Sequence, residues 1–383
     1  MPLVYLPRLK SLLIAAAIFA AAWYGFWHYI PNYKPAVMKT FSPNLRTHCV
    51  GRYLIDLPED MGEPDVSLAQ FYYGLDRNFK TVEASMPQGE AMAFDEFRRR
   101  ATARLDELKA TKNSGLNIPM LLHSEIVPTP NGDALLLRRL ESDVGSPSTT
   151  VTEIHAYVND RYIQLRGEAY PPDAMYSQSI RPIYPFADHR SVEDRLKKMV
   201  QHLRAAKDPL RAGEGFCMNG IVFDAQRIGY DEEKANFSFR SGDLPNRILF
   251  EVSMDGKTGQ EEKTLLEQVA EEDVIAQKFE EPGVIFRNIR RGERTIDAMR
   301  FQEDGTQLYI RSASAHQFRI AGRNVLERSQ LSWARPSMAL RLDSGEFGTQ
   351  EAKSPLDRQQ VETAWDQWIS SLRLSPANGG ATR

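Results

Sequence analysis

The chain has 383 residues, 42% of them hydrophobic and 26% charged, with a formal net charge of −3. That length exceeds one ordinary hydrophobic core and fits about two domains, and the composition excludes wholesale disorder. The weak negative charge argues against nucleic acid as the main partner, and the two Cys and seven scattered His show no metal-ligand spacing.

The first element is the apolar run LLIAAAIFAAAWYGFWHYI, residues 12–30, whose one ionisable side chain is His28. At about 1.5 Å per residue it is long enough to cross a bilayer core. Arg8 and Lys10 precede it, and Trp23, Tyr24, Trp27 and Tyr29 crowd its far end as an interfacial aromatic belt would. Two readings stand: an uncleaved inner-membrane anchor, or a cleaved signal peptide processed near Ala20 and Ala22. The apolar run continues beyond that cleavage point, which favours the anchor. Either way the positive-inside rule sends residues 31–383 across the membrane, so the protein is expected in the periplasm. Residues 31–46 open with PNYKPAVMKTFSPN, which carries three prolines and predicts a short stalk.

The body opens on HCVGRYLID, residues 48–56, holding Cys49. AFDEFRRRATARLDELK, residues 93–109, sets Phe94, Phe97, Ala101, Leu105 and Leu108 on one helical stripe. GDALLLRRLESD (132–143) is strand-like, and TVTEIHAYV (150–158) and RYIQLRGEA (161–169) flank Asn159-Asp160, a two-residue hairpin signal. SVEDRLKKMVQHLRAA, residues 191–206, predicts an amphipathic helix capped by Ser191, with Val192, Leu196, Met199 and Leu203 on one face. KDPLRAGEG, residues 207–215, interrupts the pattern and marks the join.

Beyond the join the text repeats. FCMNGIVFD, residues 216–224, echoes the opening phrase and places Cys217 like Cys49. KTLLEQVAEEDVIAQKF (263–279) offers a second outer helix through Leu266, Val269, Ala270 and Val274. IDAMRFQEDG (296–305), QLYIRSAS (307–314) and SMALRLDSG (337–345) supply strands, the first sharing an Asp-Ala start with residues 133–134. VETAWDQWISSL (361–372) repeats the last helix with Val361, Trp365, Trp368 and Leu372, which the spacing assigns to the core. The expected fold is α+β: two tandem, internally repeated domains, residues 47–207 and 213–378, after an N-terminal transmembrane helix. Each domain is expected to be an antiparallel sheet covered by two helices. The second copy carries the larger acidic excess.

No nucleophile elbow, Walker loop, dinucleotide fingerprint or H-E-x-x-H occurs, so no catalytic, cofactor-binding or metal residues are assigned. His155, inside a predicted strand, reads as a structural histidine. His48 beside Cys49 would point to the opposite face, which argues against a thiolate–imidazole couple. RNIRRGER, residues 287–294, leaves two readings for Arg287, Arg290, Arg291 and Arg294: a solvated turn between strands, or a contact for an acidic partner surface. Cys49 and Cys217 likewise leave two: a disulfide across a pseudo-twofold axis between first strands, suited to an exported protein, or two buried small hydrophobes.

THCVGRYLIDLPEDM (47–61) and GFCMNGIVFD (215–224), behind an N-terminal membrane segment, resemble a known family. These are the immunity proteins that protect bacteria from their own type VI secretion lipase effectors, the family cognate to the fourth class of phospholipase effector. The resemblance covers residues 47–375 and implies a non-enzymatic periplasmic inhibitor without cofactors, whose partner is the cognate lipase effector. It carries no catalytic signature, so no site residue transfers. Two lobes clamping the lipase's lid region would block opening and substrate entry together. The alternative is a membrane-anchored envelope scaffold or ligand-binding sensor without a toxin partner.

Overall fold

In the computed structural model, residues 16–21, 25, 29–64, 66–73, 81–86, 91–145, 149–169, 188–206, 208–256, 263–278, 283–326, 332, 335–376 and 378 are described. The chain runs twice through one order of elements. The first pass is β1 (Leu45–Gly51), β2 (Tyr53–Pro58), a 3-10 turn (Glu59–Met61), β3 (Val66–Tyr72), β4 (Thr81–Ser85) and α1 (Phe94–Ala110). It continues with β5 (Leu121–Thr129), β6 (Gly132–Leu140), β7 (Thr150–Val158), β8 (Arg161–Ala169), α2 (His189–Gln201) and β9 (Leu203–Ala205). The second pass is β10 (Phe216–Met218), β11 (Ile221–Phe223), α3 (Ala225–Ile228), β12 (Glu232–Ser241), β13 (Ile248–Asp255) and α4 (Leu265–Lys278). It closes with β14 (Val284–Ile296), β15 (Met299–Ile310), β16 (Ala315–Asn324), β17 (Ser337–Ser344), α5 (Arg358–Ser370) and β18 (Arg373–Leu374).

The two passes do not build separate sheets, which departs from the expected tandem arrangement. They share a 6-stranded sheet, β18-β2-β1-β10-β11-β9, and a 12-stranded sheet, β14-β15-β16-β17-β13-β12-β3-β4-β8-β7-β6-β5. Both orders are symmetric about their middle, where β1 meets β10 and β3 meets β12. Val50 lies opposite Met218, and Leu68 opposite Asn236. Each pair is separated by 168 residues (218 − 50 and 236 − 68), so one pseudo-twofold axis relates the halves through both sheets. The last strand of each half is exchanged: β9 pairs with β11 and β18 with β2. Each exchange covers a strand edge that would otherwise expose unpaired backbone groups. The join at 207–215 therefore does not separate two lobes.

The sheets face each other across the core. Phe71, Phe237, Phe239, Phe250 and Leu342 from the large sheet meet Tyr53, Ile55, Phe216 and Phe223 from the small one. The two long helices that follow the strands pack in this layer. In α2, Val192, Leu196, Met199 and Val200 are buried; in α5, Val361, Trp365, Trp368 and Ile369 are, each 169 residues later. The expected stripe is present, but the first helix stops at Gln201 and Leu203 belongs to β9. Its N-cap is Asp188, whose side chain accepts from the Ser191 amide, rather than Ser191 itself. In α5, Asp357 and Gln360 form a full capping box.

The other two helices lie on the opposite face of the large sheet, so each half carries one helix per face. In α1, Phe97, Ala101 and Leu108 are buried while Phe94 is exposed. In α4, Leu266 and Val269 are half-buried and Ala270 is exposed; the side chain of Val274 lies outside the described ones. The Asn159-Asp160 hairpin forms as expected, with φ of 52° and 57°. The shared Asp-Ala start does not mark equivalent positions. Asp133 and Ala134 sit within β6, whereas Asp297 and Ala298 form the β14–β15 turn at φ of 44° and 63°. Residues 307–314 were expected as one strand. Residues 307–310 end β15, 311–314 form a turn, and β16 follows at positions too polar to stand out.

Of the expected span at 12–30, only 16–21, 25, 29 and 30 fall within the described residues, and 16–21 are helical. Among the described residues no helix is long and apolar enough to cross a membrane. The expected stalk is not a free spacer. Ile30 is 2% exposed, and the chain from there runs along the second half. Tyr33 stacks on His316 at 4.4 Å and donates its hydroxyl to the Ser354 carbonyl at 2.5 Å. The Lys39 amide donates to the Pro355 carbonyl at 3.0 Å, and Phe41 meets Trp368 edge-on at 5.1 Å.

Candidate interaction surface

The large sheet has one covered face and one open face. Helix α1 packs over Tyr162, Leu137 and Leu140 near one end of the open face. Helix α4 reaches the other end, where the Leu266 amide donates to Gln302. Between them, among the described residues, no helix covers β4, β3, β12, β13 and β17. Strand alternation sends their apolar residues to the core and their polar ones outward.

Those outward positions form a ladder of cross-strand polar pairs. Glu83 on β4 accepts from Gln70 on β3 at 3.1 Å. Ser253 donates to Asn236 at 3.0 Å, and Lys234 pairs with Asp255 at 3.4 Å. Arg341 pairs with Glu251 at 2.5 Å, and Arg319 grips Asp343 through two bonds of 2.7 and 2.9 Å. Such pairs each add a few tenths to about 1 kcal/mol to the sheet. At an interface they discriminate between partners, because a mismatched charge opposite them would lose its hydration without a replacement. Leu68, exposed at the pseudo-axis, is an apolar point in the middle of this polar floor.

A recess of about 420 Å³ lies at the foot of α1 between Leu68, Ser85, Tyr162 and Arg166. Beneath it the Glu153 carboxylate, fully buried, accepts from Arg104 at 3.1 Å, Gln164 at 3.2 Å and Arg139 at 3.4 Å. Burial alone would push this carboxyl up, but His155 and the two guanidinium groups outweigh it and hold it at about 2. The His155 Nδ1 is hydrogen-bonded to the Tyr162 hydroxyl, and its Nε2 lies 3.6 Å from Glu153. The 3.6 Å approach is too long for a hydrogen bond and leaves Nε2 as a buried atom without one. Through Arg104 of α1, Arg139 of β6 and Gln164 of β8, the Glu153 carboxylate holds β6, β7 and β8 to α1.

The four arginines singled out in the sequence lie on β14, an edge strand, rather than in a turn. Arg290 pairs with Glu303 at 2.6 Å and Asp366 at 2.9 Å; Arg294 pairs with the same two carboxylates. Glu303 also accepts from the Trp365 indole at 3.1 Å, so these two arginines fasten α5 to the sheet. Arg291 pairs with Asp304 at 2.8 Å on the open face. Arg287 is exposed beside the exposed Phe286. Among the described residues, no group of three or more His, Cys, Asp or Glu is placed to hold a metal ion.

Cys49 and Cys217 flank the Val50–Met218 pair, with Cα atoms 5.7 Å apart and the sulfurs joined as a disulfide. They lie with Leu54 and Val222 on the face of the small sheet turned away from the main core. His48 points the other way, edge-on to Phe239 at 5.1 Å, so the neighbouring imidazole and sulfur do occupy opposite faces. The polar ladder was missed because no short motif encodes it; its only trace is strict alternation in runs such as QLRGE and ALRLD.

Two domain families match the chain: the Tle cognate immunity protein 4 N-terminal domain over residues 46–207 and its C-terminal domain over residues 210–377. No match is found among curated protein sequences. Among solved structures, the apo immunity protein TplEi of the type VI secretion system of Pseudomonas aeruginosa is similar. It shares 17% identity and a TM-score of 0.56, over 87% of this chain and 97% of that one. The crystal structure of the Tle4–Tli4 complex aligns at 18% identity and a TM-score of 0.57, over 88% and 99%. At such identities the likeness speaks for the fold. The matched families, spanning nearly all of the chain beyond residue 45, place it in the Tle cognate immunity protein 4 family.

Proposed function

We propose that this protein is a type VI secretion immunity protein that binds a cognate phospholipase effector in the periplasm and inhibits it, protecting the producing cell and its kin. The observation that carries the reading beyond family membership is the open face of the shared sheet. It is a wide polar floor, charged in alternation and flanked by α1 and α4, with Leu68 and a recess near its centre. A folded partner laid across it would touch both halves at once. Because the halves share both sheets and exchange their closing strands, the grip comes from one continuous surface rather than from two hinged lobes. In this reading the effector's lid region lies on the floor and cannot open towards lipid.

We further place the body at the periplasmic side of the inner membrane, carried by residues 12–30. A membrane-attacking lipase must reach that bilayer, so an inhibitor held there meets it where it acts. The test is to mix the purified full chain with its cognate lipase effector. Complex formation and phospholipid hydrolysis are then measured. Stoichiometric loss of hydrolysis on complex formation is expected; a lipase that stays fully active, or forms no complex, overturns the reading.

A further inference from the structure

The segment between the apolar run and β1 has two sides. Its inward side is fastened to the body by Ile30, Tyr33 and Phe41, and by Lys39, whose ammonium pairs with Asp60 at 2.9 Å and donates to Ser241 at 2.6 Å. The Gln360 side chain of α5 also donates to the Lys39 carbonyl at 3.2 Å. The segment thus spans the second half and the 3-10 turn of the first. Its outward side is apolar and basic. Val37 is 82% exposed and Met38 46%, shortly after the apolar run of residues 12–30, whose Tyr29 is 62% exposed. Lys34 is exposed there, and Lys353 is exposed next to Ser354, the residue that accepts from Tyr33. Neither lysine makes an ion pair among the described residues.

We infer that this strap is a membrane-contact surface for an anionic bilayer, seating the body directly on the lipid headgroups in one orientation. The inference rests on the reading that the apolar run of residues 12–30 anchors the chain in the bilayer, with Ile30 at its protein end. With Ile30 already packed in the body, no slack chain separates the apolar run from the fold, so the outward side of the strap must lie at the bilayer surface. Aromatic and aliphatic side chains with flanking lysines are the chemistry that suits the headgroup layer, where apolar groups leave water and ammonium groups meet lipid phosphates. The strap lies with Trp368 and α5 on the covered side of the large sheet. The open polar face therefore points away from the lipid and stays free for a soluble partner.

The experiment uses the full chain in vesicles of mixed phosphatidylethanolamine and phosphatidylglycerol carrying a headgroup-depth quencher. Val37→Cys and, separately, Ser253→Cys on the open face are labelled with an environment-sensitive dye while the native cysteines stay bridged. Several-fold stronger quenching at position 37 than at 253 is expected. Adding Lys34→Glu and Met38→Glu to the position-37 variant should reduce that difference. Equal quenching at the two positions, or a water-exposed dye at position 37, overturns the inference. Flotation separates the two failures. A chain that floats with its position-37 dye in water refutes the strap contact alone. A chain that does not float refutes the embedded anchor and, with it, the contact.

Discussion

The two halves agree on the covered side of the large sheet and diverge on the open side. Beneath the covered side, α2 and α5 bury equivalent positions, with Leu196 and Met199 answered by Trp365 and Trp368. The larger indoles are accommodated because Gly322 leaves room for Trp365 and Glu303 accepts its N–H. On the open side α1 covers an apolar cluster at the outer end of the first half, whereas the second half presents Arg291, Asp304, Arg319 and Asp343. Inward positions of both halves answer to one packed core, where volume changes are felt throughout. Outward positions answer only to solvent and partner, so after duplication each half could change its surface without loss of fold.

The agreement is broken hardest at the contacts joining the halves. Arg52, in the β1–β2 turn, donates to Glu233 of β12 at 2.7 and 3.1 Å, and Tyr230 donates to the same carboxylate at 2.9 Å. Arg52→Ala leaves a buried carboxylate without its countercharge and should cost about 3–5 kcal/mol in urea denaturation. Exchange of β9 and β18 predicts one transition for both halves. Amide hydrogen exchange showing α2 and α5 opening at different denaturant concentrations would contradict that cooperative unit. Next in size is the bridge at the pseudo-axis. Replacing Cys49 and Cys217 together by Ala should cost about 2–4 kcal/mol, mostly through a freer unfolded chain. A non-reducing mass measurement on the exported protein, finding two free thiols, would remove the basis for that expectation.

The duplication was legible in the sequence because burial writes it down: Val192, Leu196 and Met199 recur as Val361, Trp365 and Trp368, and the cysteines recur at the first strands. The fusion of the sheets was not legible. Pairing of β3 with β12 depends on backbone groups that every residue has, and side-chain alternation is the same on an edge strand as in the middle of a sheet. Polar strands with β-bulges hide for a related reason. For RNIRRGER the sequence left a solvated turn or a contact for an acidic partner; neither reading placed it within a strand, where Glu303, Asp304 and Asp366 neutralise three of the four arginines. The docked strap was hidden by its prolines, which mark extended chain equally well when it is free and when it is packed.

A pH change tests whether the halves also share their acid sensitivity. Burial pushes the His48 imidazole, in the first half, down to about 4 despite the nearby Glu63 carboxylate. Burial pushes His316, in the second half, to about 4 as well. In the unfolded chain each ring titrates near its ordinary 6.5, so between those values the unfolded state binds more protons. This stability is fully present above about pH 6.5 and is lost as the pH falls towards about 4, by roughly 3 kcal/mol per ring. His48→Asn and His316→Asn should each flatten part of that slope in pH-resolved denaturation; a slope unchanged by both would assign the acid loss to other groups.

The smallest effect on stability should accompany the sharpest effect on binding. Glu83→Lys changes the floor of the first half, and Arg341→Glu that of the second; both side chains are about two-fifths exposed, so discounted for solvent screening each change should alter stability by less than about 1 kcal/mol. If the effector lies across the pseudo-axis, each substitution should weaken the complex by about tenfold or more, which is about 1.4 kcal/mol. The double variant should lose about the product of the two factors, since the positions share no partner. Arg287→Glu on β14, beyond α4, should leave affinity within about twofold if contact is confined to the floor. If Glu83→Lys is neutral while Arg341→Glu and Arg287→Glu both weaken binding, the second half alone grips the effector. The divergence of the open faces would then mark a division of labour, with the first half serving as support.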